Sequence, residues 1–156
     1  MSASAGCGQS CLPTWRTPST TTTIWGDALP NEAVTFLSVD EAVGIHERLA
    51  REFGGRTGLR DPGLLESSLF RPQTGCYEDL ATMASALFES LLFNHAFHDG
   101  NDRVAFYGTD VFLRLNGWRL DVETEAAHNF IAELTEKGHS QRAAILPLLR
   151  RSIVRC

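Results

Sequence analysis

No stretch of this sequence keeps apolar residues together for the about 20 positions that a membrane-spanning helix requires. Charged or polar residues break every apolar run well before that length, so no membrane span is expected. An excess of positive charge is also missing. Lys and Arg number 14 against 19 Asp and Glu, a formal net charge of −5, which is the wrong sign for broad binding to nucleic acid or to an anionic membrane surface. Met1 to Pro13 has neither a basic start nor an apolar run. No export signal is expected, and the reading is a cytoplasmic protein. Cysteine is scarce, at Cys7, Cys11, Cys76 and Cys156. The Cys7/Cys11 pair lacks the second close pair or nearby histidine that would complete a metal site, so free thiols in a reducing compartment are expected.

What is present suits one globular domain. The chain has 156 residues, 43% hydrophobic and 21% charged, long enough to bury a core without covalent staples. Residues 1–34 stand apart, with S-T-T-T-T among Pro13, Pro18 and Pro30, and read as a flexible or poorly ordered tail. Residues 35–156 carry the domain. Ser38 and Glu41 make a capping box, followed by Ala42, Val43, His46, Leu49, Ala50 and Phe53 at helical spacing up to Gly54-Gly55. His46 lies on that apolar stripe and reads as a packed, hydrogen-bonded histidine. Asp61-Pro62 opens a short helix that ends before Pro72. Leu80, Met83, Ala84, Leu87, Phe88, Leu91 and Leu92 then hold the i, i+3, i+4, i+7 pattern. Val104 to Leu115 carries the same period to Asn116-Gly117. A short strand is expected over Trp118 to Val122, then a helix through Ala127 to Gly138 and another from Ser140 to Ile153, bent at Pro147. The fold class is therefore all-α and compact, with at most a short β element.

Between the two most apolar helices lies H-A-F-H-D-G-N-D-R-V-A-F, His95 to Phe106. Gly100 permits a tight turn and Asn101 is a natural N-cap, so the backbone N–H groups of Asn101 to Val104, with the helix dipole, make an anion site. Asp99 suits Mg²⁺ shared with phosphate oxygens, and Arg103 offers a fork of donors to the same oxygens. His95 has the pKa range of a base for an attacking hydroxyl. Base, metal ligand and anion site this close suit phosphoryl or nucleotidyl transfer. The same residues also admit a plain reading: a turn glycine, two capping residues (Asn101 and Asp102) and a solvated Arg103 around a core Phe97.

H-A-F-H-D-G-N-D-R resembles the signature of the Fic/Doc superfamily, His-x-Phe-x-(Asp/Glu)-Gly-Asn followed by a basic stretch. Gly54 to Pro72 and Val111 to Gly117 are similar to the Doc (death on curing) branch, and the likeness runs from about Leu37 to Leu149. The resemblance implies an all-helical domain that uses ATP and Mg²⁺ to modify a hydroxyl on a target protein. In the Doc branch this is phosphorylation of elongation factor Tu, arresting translation as part of a toxin-antitoxin system, with neutralisation by a Phd-type antitoxin. It implies His95 as base, Phe97 as core anchor, Asp99 as Mg²⁺ ligand, Gly100 and Asn101 as anion hole and Arg103 as phosphate clamp. Two positions depart from the pattern. AMP-transferring relatives have Gly where Asp102 stands and a second Arg where Phe106 stands, which counts against AMP transfer; the Doc branch usually has Lys and Thr in place of Asp102 and Val104.

Asp102 thus puts a negative charge among the phosphate-binding candidates. If it faces outward it merely favours the helix start; if it faces inward it either repels phosphate, leaving a silenced binding module, or joins Asp99 around a cation. A different class, a metal-dependent phosphohydrolase built on the His98-Asp99 pair, needs further ligands from His46, His128 or Asp110, whose spacing does not point to it. His98 is expected to face solvent. Arg60 and Asp61 are candidates for shaping the loop before the second helix, and Glu66 for a bond toward the active loop.

Overall fold

The computed structural model describes residues 34–137 and 143–156. The expected N-terminal tail and the expected helix start at Ser140 lie outside the described residues. Helix α1, Val39–Phe53, starts at Ser38, whose Oγ accepts the Glu41 N–H at 3.2 Å, and stops at Gly54. Helix α2, Pro62–Phe70, starts at Asp61, whose Oδ1 accepts the Leu64 N–H at 3.1 Å; proline at the first helical position gives up an N–H that would have no partner there. A 3-10 turn, Arg71–Gln73, leads toward α3, Leu80–Phe93, which opens on a reciprocal Asp79/Thr82 capping box. Helix α4, Asn101–Leu115, is followed by strand β1, Trp118–Leu120, helix α5, Thr124–Lys137, helix α6, Ile145–Ser152, and strand β2, Ile153–Arg155.

The protein is all-α with one short two-stranded element, as its patterning predicts. Helices α3 and α4 form the centre, with Leu87, Phe88 and Leu91 of the first and Phe112 and Leu113 of the second all buried in one core. Phe112 and Leu113 are 0% exposed, and burial of such side chains stabilises by about 1.5–3 kcal/mol each. The loop joining the two helices therefore rests on the best-packed part of the molecule.

The C-terminus differs from expectation. Ile153 does not continue the last helix; it turns extended, and β2 pairs antiparallel with β1 in the register Leu120↔Ile153 and Trp118↔Arg155. This buries Ile153 while giving its backbone sheet partners. Pro147 does not bend α6, because it sits in the first turn, where its missing N–H breaks no helical bond. Cys156 is a free, exposed thiol. Cys76 is disulfide-bonded, which corrects the expectation of free thiols throughout; a cysteine that belongs to no close pair in the sequence carries no signal of pairing, and the reducing-compartment argument loses that support. No helix among the described residues is long and apolar enough to cross a membrane.

Candidate functional site

Helix α3 ends at Asn94, and the next residue, His95, has φ 54, the left-handed conformation. That position after a helix is ordinarily glycine or asparagine. A larger side chain there costs about 1–2 kcal/mol, and strain of this kind gathers at functional sites. The neighbouring 58–61 segment braces the loop. Leu59 and Phe97 form an antiparallel bridge. The backbone N–H groups of Arg60 and Asp61 both donate to the Ala96 carbonyl, at 2.8 and 3.0 Å, and that of His98 donates to Gly58 at 3.2 Å. Arg60 Nε also donates to the His95 carbonyl at 2.8 Å.

Phe97 is 2% exposed and anchors the loop in the core. The His46 ring stacks on it at 4.1 Å between centroids, 12° from parallel. Nε2 of His46 donates to the Asp99 carbonyl at 2.8 Å. His46 is thus the packed, hydrogen-bonded histidine that its place on the stripe suggests, and it sets the loop backbone just before Gly100.

Gly100 has φ 77 and ψ 19 and is itself the N-cap of α4, with no side chain capping the helix. Asn101 is the first helical residue rather than the cap expected from the sequence. Its side chain is used elsewhere: Oδ1 accepts the Phe97 N–H and Nδ2 donates to the Phe97 carbonyl, both at 3.0 Å. This amide closes the loop into a fixed ring. The first-turn N–H groups are left without a side-chain partner, an arrangement suited to an anion.

The carboxylate of Asp99 is exposed and held at both oxygens. Oδ2 accepts the Arg56 N–H at 3.2 Å and Oδ1 the Gly100 N–H at 2.8 Å. These bonds, Arg56 first and Gly100 second, hold its pKa below the ordinary carboxylate value, and the Arg103 charge adds to the effect. Asp99 stays ionised at any physiological pH.

Around this loop opens a cavity of about 380 Å³, lined by His95, His98, Asp99, Gly100, Asn101 and Asp102 and closed on the far side by Leu92 and by α5 through His128, Ile131, Ala132 and Thr135. Asp102 is half-buried and also lines an adjoining aromatic cleft of about 260 Å³ with Phe53, Phe106, Tyr107 and Ile131. Asp102 thus borders both clefts, with no described hydrogen bond or ion pair upon its carboxylate. Arg103 does not line the cavity that holds His95. Its Nη1 donates to the Gly54 carbonyl at 3.3 Å and its guanidinium lies 5.6 Å from the centre of the Phe53 ring, at the aromatic cleft. Phe106 packs edge-on against Tyr107 at 5.3 Å. His98 is exposed, as expected, and on the same cavity. Glu66 is exposed on α2 and makes no described bond to the loop.

Three contributors were not evident from sequence. Arg56 carries no signal beyond following the Gly54-Gly55 helix stop, yet its N–H holds Asp99; Arg60 reads as a candidate for shaping the loop before the second helix, yet grips His95; and His128, exposed on an ordinary amphipathic helix, lines the cavity. The chemistry of Asp99 fits Mg²⁺. Asp99 supplies one firmly ionised carboxylate, and Mg²⁺ takes one or two carboxylates with water and substrate phosphates completing its shell. Among the described residues no group of three or more His, Cys, Asp or Glu could hold a metal ion. Two of the three further ligands that a phosphohydrolase would need are committed elsewhere: His46 Nε2 to the Asp99 carbonyl, and Asp110 to Arg114 Nε at 2.7 Å and the Leu120 N–H at 2.8 Å.

Comparison with known proteins agrees with this geometry. A model of the Fic/DOC family matches residues 36–113, from the start of α1 to near the end of α4. The chain is 37% identical over 92 residues to a protein named Toxin Doc from Mycolicibacterium smegmatis (strain ATCC 700084 / mc(2)155), covering 54% of this chain and 71% of that protein. It is 29% identical over 119 residues to Protein kinase doc of Escherichia phage P1, covering 74% of this chain and 93% of that protein.

Proposed function

The chain belongs to the Doc branch of the Fic/Doc superfamily, and from that premise we propose that it is a toxin of a toxin-antitoxin system that transfers the γ-phosphoryl group of ATP to a hydroxyl of a target protein. The observation that carries this reading is the single cavity in which His95, the ionised Asp99 and the uncapped first turn of α4 meet. In the proposed reaction the His95 imidazole takes the proton of the target hydroxyl as its oxygen bonds to the γ-phosphorus, and the bond to the leaving ADP oxygen breaks. The first-turn N–H groups of Asn101 to Arg103 hold the charge on the transferring oxygens. Asp99 would hold Mg²⁺, which when bound would supply neutralisation of the charge on the leaving group. Arg103 reaches the nucleotide phosphates once it releases the Gly54 carbonyl, and the aromatic cleft beside it offers stacking faces to the nucleoside.

A translation factor such as elongation factor Tu is the target class, and a Phd-type antitoxin the regulatory partner, that kinship with the Doc branch suggests; the site is read as acting on protein in the cytoplasm, without nucleic acid. AMP transfer is disfavoured, because Phe106 packs on Tyr107 where a second phosphate-binding Arg would be required. A second reading is favoured by one observation: Asp102 lines the cavity with no described cation paired to it, which suits a silenced member that only docks on its partner. The test is incubation of the purified chain with a translation-competent lysate, Mg²⁺ and ATP labelled at the γ or the α phosphate. Label from γ-ATP alone, lost in His95→Ala with ATP binding retained, is expected. Label from α-ATP would indicate AMP transfer, and no label with ATP still bound would favour the silent module.

A further inference from the structure

His95 is the only described residue other than glycine with a positive φ, and nothing in its own side chain holds it there, since the ring is exposed on the cavity. The conformation of a residue is set by the planes of the two peptide groups on either side of its Cα. One of these carries the Asn94 carbonyl and the other the His95 carbonyl. The Arg60 guanidinium touches both, Nε donating to His95 O at 2.8 Å and Nη2 to Asn94 O at 3.5 Å. We infer that Arg60 is a positioning residue for His95, fixing both peptide planes of the left-handed turn and so the direction of the imidazole.

Three further features fit. Arg60 cannot shift as a unit, because its own N–H and that of Asp61 are tied to the Ala96 carbonyl. Among the described residues no other donor reaches the His95 carbonyl. Asn94, the other residue gripped, is anchored from inside by its Nδ2 donating to Ser68 Oγ at 2.7 Å, and Ser68 Oγ is bonded in turn to the Leu64 and Ser90 carbonyls. Arg60 thus grips the two peptide carbonyls, while Ser68 holds the Asn94 side chain from inside. The planar guanidinium holds its donors in a fixed geometry that can set both carbonyls at once, whereas the ammonium of lysine, on a flexible stem, fixes their direction less.

The kinetic half of the test rests on the phosphotransfer reading of the His95 cavity; the spectroscopic half does not. In Arg60→Ala, kcat for transfer from ATP is expected to fall about 10- to 100-fold with KM for ATP within about twofold, the pattern of a displaced base rather than lost binding. Arg60→Lys should recover part of the loss. By NMR, the three-bond HN–Hα coupling and Cα shift of His95 should leave their left-handed values in Arg60→Ala and return toward them in Arg60→Lys. Unchanged kcat, a raised KM at unchanged kcat, or unchanged His95 backbone parameters would each overturn the assignment. If the wild-type chain transfers no phosphate, the proposed function fails on its own, and the His95 coupling still decides the role of Arg60. If Arg60→Ala does not fold, Arg60→Gln and Arg60→Lys are compared, with Lys expected to hold the left-handed values better; no difference of either from wild type overturns the inference.

Discussion

Reversing the charge at Asp102 bears most directly on whether this site works as a kinase. Asp102 is half-buried and lines the cavity that His95 and Asp99 share. At a separation of ~6 Å a unit charge on a phosphate oxygen contributes about 3 kcal/mol at an effective dielectric of 20 and about 0.7 kcal/mol in bulk water. An open cavity falls between, at ~1–2 kcal/mol, and Asp102→Lys changes the charge by two, so nucleotide binding should strengthen by ~2–4 kcal/mol, roughly 30- to 900-fold in Kd. Asp102→Asn should give about half of that free energy. Calorimetric titration with Mg·ATP at low and high salt reads the effect, and the gap between variants should narrow as salt shortens the range of the interaction. Fold stability should move the other way. A carboxylate in the first turn of α4 favours the helix dipole and a lysine opposes it, together about 0.6–2 kcal/mol, so Asp102→Lys should melt a few degrees lower without ligand while binding ATP more tightly. Opposite signs in one variant separate a ligand effect from a general gain in stability. Equal Kd values for all three proteins would refute the idea that Asp102 faces the phosphates, and weaker Mg·ATP binding by Asp102→Lys would place Asp102 with Asp99 around the cation instead.

Other consequences are open to direct measurement. A Cβ at Gly55 would lie 2.7 Å from Asp99 Oδ2, on a backbone with φ +114, so Gly55→Ala should lower stability by about 1–2 kcal/mol and weaken Mg²⁺-dependent ATP binding, read by melting and titration; unchanged binding would sever Asp99 from that loop. Because its backbone hydrogen bonds depress the folded pKa of Asp99, its contribution is complete above the pKa of the unfolded chain and is lost only as pH falls through the lower folded value; Mg²⁺-dependent binding should therefore persist down to the ordinary carboxylate range, and loss near neutral pH would contradict this. Phe97→Ala removes a ring that is 2% exposed and stacked on His46, and should cost about 3–5 kcal/mol in denaturant unfolding; a cost under about 1 kcal/mol would mean that the loop is not anchored there.

The parts of this molecule that were legible in its sequence are those in which local chemistry decides the outcome. Ser38, Asp61-Pro62 and the long apolar stripe of α3 each mark a helix without help from distant residues, and each helix lies where those signals put it. The likeness around His95 to Phe106 gave the family for the same reason, being a short contiguous pattern. What escaped depends on partners far along the chain. The C-terminal segment reads as helical until its pairing with Trp118–Leu120 is known, because an isolated three-residue strand has no stability apart from its partner. Asn101 reads as an N-cap until Phe97 is seen within reach of both ends of its amide. Arg56 and Arg60 look alike as loop arginines, yet one serves through its backbone N–H on Asp99 and the other through its guanidinium on His95. Residue type could not separate these roles, since both bonds span more than thirty positions of chain. The groups expected to perform the chemistry were therefore readable one by one, while the groups that aim them became visible only when the 55–61 segment was laid against the 94–100 loop. On that surface the one ambiguous charge has a definite neighbourhood: Asp102 borders both clefts, so its effect on a bound phosphate follows from its sign and distance, and the charge-reversal titration reads both.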